Sequence, residues 1–177
     1  MLDPAAFASE PAPGRECGSC TLCCKVYDVP ALEKLAGTWC RHCLPGRGCG
    51  IHATRPEHCR SFHCLWMTQG WLGPEWKPDR SKIVLSIDPA TRFLFAQVDP
   101  GAAGVWRREP FYGQLRAWAA AALRESRHVV VFVNKSATVV LPDRDVPVGI
   151  LAPGDRLVAR ERRTAGGVTL DFEKVAA

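Results

Sequence analysis

The chain has 177 residues and a formal charge of +5, a length that suits one domain or a domain with a small appendage. It contains no run of 18 apolar residues, which argues against a spanning helix, and residues 1–7 lack the apolar stretch of a signal peptide. A cytoplasmic protein is therefore expected. A chain of this size buries roughly 70% of its unfolded surface, so an ordinary core needs no covalent or metal reinforcement throughout.

Cysteine is nevertheless concentrated. All nine cysteines fall between Cys17 and Cys64, together with four of the five histidines, and the 113 residues that follow hold none. In a reducing compartment clustered thiols more often bind metal or do redox work than form disulfides, and an odd count argues against a closed disulfide framework. Ligating cysteines are thiolates, so two four-thiolate zinc units would lower the formal charge from +5 to about +1. Lys25, Lys34, Arg41, Arg47, Arg55 and Arg60 lie in or beside the cluster and can offset its charge. The basic surplus thus gives little reason to expect a nucleic-acid partner; no membrane partner is expected, and a protein partner remains open.

In chain order, residues 1–16 are rich in Ala, Pro and Glu and read as a flexible leader. Residues 17–67 form the cysteine region, and residues 68–81, carrying Trp71 and Trp76, form an ordered connector. Residues 82–177 read as a plain α+β supporting region. There Ile83, Leu85 and Ile87 alternate, Asp88 to Thr91 makes a turn, and Arg92 to Val98 returns as the second strand of a hairpin. Pro110 suits a helix start, with Phe111, Leu115, Trp118, Ala119, Ala122 and Leu123 on one face and an end near Arg127. Val129 to Asn134 reads as a buried strand and Ala137 to Leu141 as its hairpin partner. Arg156 to Arg162, a Gly166-Gly167 turn, and Val168, Leu170 and Phe172 alternating inward complete the pattern. The predicted architecture is α+β: loops and short helices around the cysteines, then a mostly antiparallel sheet with one packed helix.

The chemistry lies in the first third. Cys17-Gly-Ser-Cys20-Thr-Leu-Cys23-Cys24 overlaps two C-x-x-C turns, each of which lets two sulfurs approach one tetrahedral ion. Cys23 and Cys24 should diverge if the backbone there is extended, and so serve different ions or leave one as a spectator. Cys40-Arg-His-Cys43 is a further C-x-x-C, and Cys49 sits among Gly46, Gly48 and Gly50 in a tight loop. Thr54 and Glu57 have capping-box spacing, which would place Cys59 on a helix with His63 one turn on and Cys64 beside it. All nine, Cys17, Cys20, Cys23, Cys24, Cys40, Cys43, Cys49, Cys59 and Cys64, are candidate metal ligands. One or two of them can be simple buried hydrophobes, and the histidines are read as neighbours of the ligands.

The pattern Cys17-x2-Cys20-x2-Cys23-Cys24, followed by Cys49-x-Ile51-His52-x3-Arg55-Pro56-x2-Cys59-Arg60-x-Phe62-x-Cys64, resembles the CxxCxxCC cysteine-cluster (YkgJ-like) family. The resemblance covers about residues 17–67. It implies a zinc- or iron-chelating protein in which Cys17, Cys20, Cys23, Cys24, Cys49, Cys59 and Cys64 occupy the family's cysteine positions. His52 stands where a tyrosine is common and His63 where a proline is common. Related clusters accompany flagellin lysine methylases, where an iron–sulfur centre is implied. No S-adenosylmethionine motif is recognisable in this chain, so that activity is not carried over.

The expected function is thus a protein holding zinc or an iron–sulfur cluster, in a structural or partner-binding role. The alternatives are an iron–sulfur redox or electron-transfer protein, or a chelating or delivery protein for soft ions including Cu(I). The spacing departs from the bacterial ferredoxin run, because Cys24 follows Cys23 directly and no proline closes it. A cysteine nucleophile paired with His58 or His63 would need one solitary activated thiol, where this sequence offers a crowd. No catalytic motif is recognised.

Overall fold

The computed structural model describes residues 10–152, 154–164 and 167–176. Its centre is a five-stranded sheet of order β3-β4-β5-β6-β7: β3 (Ile83–Ile87), β4 (Leu94–Val98), β5 (Val129–Val133), β6 (Ser136–Val140) and β7 (Asp145–Ile150). The β3–β4 hairpin forms as the alternation predicts, with Asp88 accepting hydrogen bonds from the Thr91 amide at 2.7 Å and hydroxyl at 2.6 Å in its turn. Arg92 lies in that turn at φ +62°, so the second strand begins at Leu94, two residues later than expected.

Three features depart from a chain of hairpins. β4 and β5 run parallel, with Leu94 opposite Val129 and Val98 opposite Val133. A parallel pair needs a long crossover, and the helix α5 (Phe111–Leu123) supplies it. That helix stops four residues short of the predicted end at Arg127, and Ser126 takes a left-handed conformation just beyond it. β7 was not expected, because Pro147 and Gly149 break its pattern; it pairs with β6 across a register shift at Ala137/Thr138, as an edge strand tolerates. The third concerns only the placement of a hairpin that was expected: β8 (Arg156–Thr164) and β9 (Gly167–Val175) pair along nine residues each but stand as a separate two-stranded sheet. Of its expected turn, Gly166 lies outside the described residues and Gly167 opens β9, and the inward side chain expected at Val168 likewise lies outside them.

Register divides the sheet into two faces. Ile83, Leu85, Leu94, Ala96, Val98, Val129, Val131 and Val140 share one face and pack with Leu115 and Ala119 of α5 and with Trp76 and Trp106. Trp76, 1% exposed, touches both Phe111 and Trp118 at ring centroid distances of 4.9 Å. The connector therefore contributes a central core residue, while its other tryptophan, Trp71, is exposed. The opposite face is shared. Val130, Ala137, Val139 and Leu141 meet Phe172 of the ribbon, whereas Val84 meets Leu22, Val26, Cys64 and Met67 of the cysteine region. Tyr27 reinforces the second contact through a 3.0 Å hydrogen bond to Ser86 Oγ.

The cysteine region contains only short elements, α1 (Cys23–Val26), β1 (Cys43–Leu44), β2 (Gly48–Cys49) and α2 (Glu57–Ser61), followed by α3 (Leu65–Thr68) and α4 (Pro78–Ser81). Lys25 on α1 pairs with Asp99 at 2.6 Å, tying this region to the end of β4. The described part of the predicted leader is anchored: the Ala12 amide donates to Met67 O, and Arg15 donates to the carbonyls of Trp66, Gly70 and Leu72. No helix among the described residues is long and apolar enough to cross a membrane.

Candidate metal centre

Backbone hydrogen bonds fold the cysteine turns against one another. The Cys20 amide donates to Cys17 O at 2.9 Å, closing the first C-x-x-C turn, with Gly18 at φ +55°. The Cys43 amide closes the Cys40–Cys43 turn in the same way at 2.9 Å, and the Cys40 amide donates to Cys24 O at 3.0 Å, which ties that turn to α1. β1 and β2 set Cys43 directly opposite Cys49, with Gly46 and Gly48 taking the positive φ values of the tight loop between them.

Two local expectations are corrected. Cys23 and Cys24 are not on extended backbone: they open the helix α1, and their thiols lie within hydrogen-bond reach of each other. The capping box does not form either. Pro56 occupies the N-cap position of α2 without a side-chain cap, and Glu57 pairs with Arg60 at 2.8 Å. α2 ends at Ser61 with Phe62 extended, so Cys59 is helical but His63 is not on its face one turn on.

These segments surround a cavity of about 500 Å³. Cys17, Cys20, Cys23, Cys24, Cys40, Cys49 and Cys59 line it, joined by Tyr27, Arg55, Phe62 and three histidines, His52, His58 and His63. Cys43 and Cys64 do not line it. The Cys43 thiol is within hydrogen-bond reach of Cys24, and buried Cys64 is electrostatically coupled to Cys17 and Cys20. All nine cysteines are free. The expectation that C-x-x-C turns bring sulfurs onto one ion is not met in this arrangement: among the described residues, no three Cys, His, Asp or Glu side chains converge closely enough to hold a metal. The donor set fits a thiophilic ion in its chemistry, while its spacing requires the side chains to close in.

Electrostatics favour the protonated form of six of these thiols. Burial pushes Cys43 and Cys64 up from the ordinary value of 9.0 to about 11. Burial likewise raises Cys17, Cys20 and Cys59, while Cys24 is raised above all by its contact with Cys23 and then by burial. Without a cation, ionising one thiol here opposes ionising the next. A bound metal reverses that balance, displacing the protons and neutralising the mutual repulsion.

The cations anticipated near the cluster separate by task. Arg55 acts on Cys17 and Cys59 while its guanidinium holds the carbonyls of Cys59 and His52. Lys34 donates to the carbonyls of Lys25 and Tyr27, and burial lowers its pKa from the ordinary 10.5. Lys25 and Arg60 are committed to carboxylates, and Arg41 Nε donates to His42. Lys77, which acts on Cys17 and Cys20, escaped the sequence reading because it lies thirteen residues beyond the last cysteine. The placement of His52, His58 and His63 on the cavity wall was equally unreadable, since no spacing separates them from His42. No family model, curated protein or solved structure matches the chain. The resemblance to the CxxCxxCC family therefore rests on the motif residues themselves.

Proposed function

We propose that this protein binds a thiophilic metal centre, zinc or an iron–sulfur cluster, in the cavity ringed by its cysteines, and that the centre organises the N-terminal part of the chain as a structural or protein-binding module. A single observation carries the reading: seven free thiols from five separate short segments line one cavity of about 500 Å³. Thiols brought together from so many segments, in a region with few buried aliphatics, need a partner more cohesive than their own packing. A structural thiolate zinc site supplies about 10–16 kcal/mol of apparent binding energy, ample to order such a region. Bound there, a zinc ion would act as a redox-inert tetrahedral clamp, and an iron–sulfur cluster would add one-electron chemistry.

The size of the cavity favours keeping the iron–sulfur redox reading beside the zinc one, because a lone ion fills little of such a space. Either centre requires reduced thiols and so a reducing, cytoplasmic setting. The test is purification without oxygen, followed by a visible spectrum and metal analysis. A brown protein with sulfur-to-iron charge-transfer bands selects the cluster; a colourless one with near-integer zinc selects the structural ion. A metal-free chain whose cysteine region remains folded, or one whose cysteines are paired as disulfides, removes the proposal.

A further inference from the structure

Among the described residues five large apolar side chains are exposed, and three of them fall within one short stretch: Leu35 at 68%, Trp39 at 45% and Leu44 at 51%. Single apolar residues scattered over a surface are ordinary, whereas a group of them marks a contact. The backbone of this stretch is fixed. The Thr38 amide and hydroxyl donate to Leu35 O, the Cys43 amide to Cys40 O and the Arg47 amide to Leu44 O, forming three successive turns. The Gly37 amide donates to Lys25 O at 2.9 Å and fastens the first turn to α1. Gly37, at φ +80°, also lies too close to the Asn134 side chain to carry one of its own. Charge singles out the same stretch. The sequence holds no acid between Glu33 and Glu57, while Lys34, Arg41, Arg47 and Arg55 lie there. Lys34 is buried, and Arg55 is committed to the carbonyls of His52 and Cys59. Arg41 and Arg47 are exposed, and neither forms an ion pair with a carboxylate among the described residues; the Arg41 Nε donates to His42. The exposed Arg107 and Arg160 differ, since Asp145 and Glu173 answer them at 3.3 and 2.7 Å.

We infer that the surface formed by Leu35, Trp39, Arg41, Leu44 and Arg47 docks an acidic protein segment that carries large apolar side chains. The inference rests on the protein-binding role proposed above, for which it names the class of partner, and uses no property of the metal. Trp and Arg are the residues that most often dominate the energy of a protein contact. Here Trp39 and the two leucines supply apolar area, and the unanswered guanidinium groups match carboxylates with two-pronged hydrogen bonds. Turns already fixed by backbone bonds lower the ordering cost of binding. Two other occupants suit the surface less. Single-stranded nucleic acid could stack a base on Trp39 and set phosphates on the arginines, but Leu35 and Leu44 offer it no stacking face. A second copy meeting this one across a two-fold axis would bring the same cations, Arg41 and Arg47, to both sides of the contact.

The test titrates the full-length chain, purified reduced and without oxygen, and follows its backbone amide resonances. The probe is a synthetic peptide in which Glu and Asp alternate with Leu and Phe. The same peptide with Gln and Asn replacing its acids, and oligothymidylate, serve as comparisons. The acidic peptide is expected to move the amides of residues 35–47 and to leave those of Trp71 and Ile150, which are also exposed, in place. Trp39→Ala should weaken its binding at least about tenfold. Arg41→Glu combined with Arg47→Glu should abolish binding, and Trp71→Ala should leave it unchanged. All of these side chains are exposed, and unmoved β5 amides in the same spectra report an intact fold. Equal binding of the uncharged peptide, or no binding of the acidic one, overturns the inference. Tighter binding of oligothymidylate overturns it in favour of nucleic acid, and concentration-dependent dimerisation through the same amides in favour of a second copy. Metal analysis of the same sample separates the two readings. Metal bound without peptide binding overturns this inference alone, and peptide binding by a metal-free chain upholds it while the metal reading fails.

Discussion

Between Cys17 and Cys64 the longest regular element is the five-residue α2, and the paired strands there span two residues each. From Ile83 to Ile150 the chain forms five strands in continuous pairing and a 13-residue helix, with Ile83, Ala96, Leu115, Val129 and Val139 fully buried. The second region is held by apolar area, at about 1.5–3 kcal/mol for each fully buried large side chain. The first is held by turns, by a few contacts on Val84 and, on our reading, by a shared cation. The two regions thus take their cohesion from different physics, and each should fail under a different insult.

The sharpest break expected on the sheet side is Trp76→Ala, which removes a ring packed against Phe111 and Trp118. It should cost about 3–5 kcal/mol in denaturant unfolding, with no change in metal per folded chain. Cys20→Ser is the mirror image: bound metal is lost, while the unfolding free energy of the sheet changes by no more than about 1 kcal/mol. Equal sensitivity of both properties to both substitutions would break the comparison. Asp99→Asn attacks the joint between the regions, because it leaves the half-buried Lys25 without its acid and weakens the 2.8 Å bond to the Gly101 amide. A loss of about 1.5–3 kcal/mol is expected, visible both in unfolding and in metal affinity.

The smallest effect concerns pH. His128 sits between Phe93 and Phe172 at centroid distances of 4.8 and 4.7 Å, and burial lowers its pKa below the ordinary 6.5. A base depressed in the folded state contributes stability that is complete above pH 6.5 and is lost as pH falls through the lower folded value. Mild acid should therefore loosen the contact between the sheet and the β8–β9 ribbon, and His128→Phe should remove that dependence in an unfolding titration.

Much of the sheet was legible because its segments carry strong periods. The alternation of Ile83, Leu85 and Ile87 and the stripe from Phe111 to Leu123 each correspond to an element. The parallel β4–β5 pairing was left unassigned, although a helix lying between two strands is itself the signature of a crossover. β7 was hidden by Pro147 and Gly149, residues that an edge strand accepts and a central one does not. Around the cysteines the residue types were legible and their arrangement was not. Four-residue elements such as α1 are too short to show a period, and Lys34 could be named as a nearby cation but not as a buried one. That placement follows from carbonyls of α1, which composition does not reveal.

Hydrogen exchange of the intact chain, with and without a chelator under reducing conditions, tests the central claim most directly. The account predicts that chelation accelerates exchange at the amides that close the two C-x-x-C turns, those of Cys20 and Cys43, and at the Cys40 amide that ties the second turn to α1, while the amides of β5 keep their protection. Unchanged protection in both regions, or simultaneous loss in both, would contradict it.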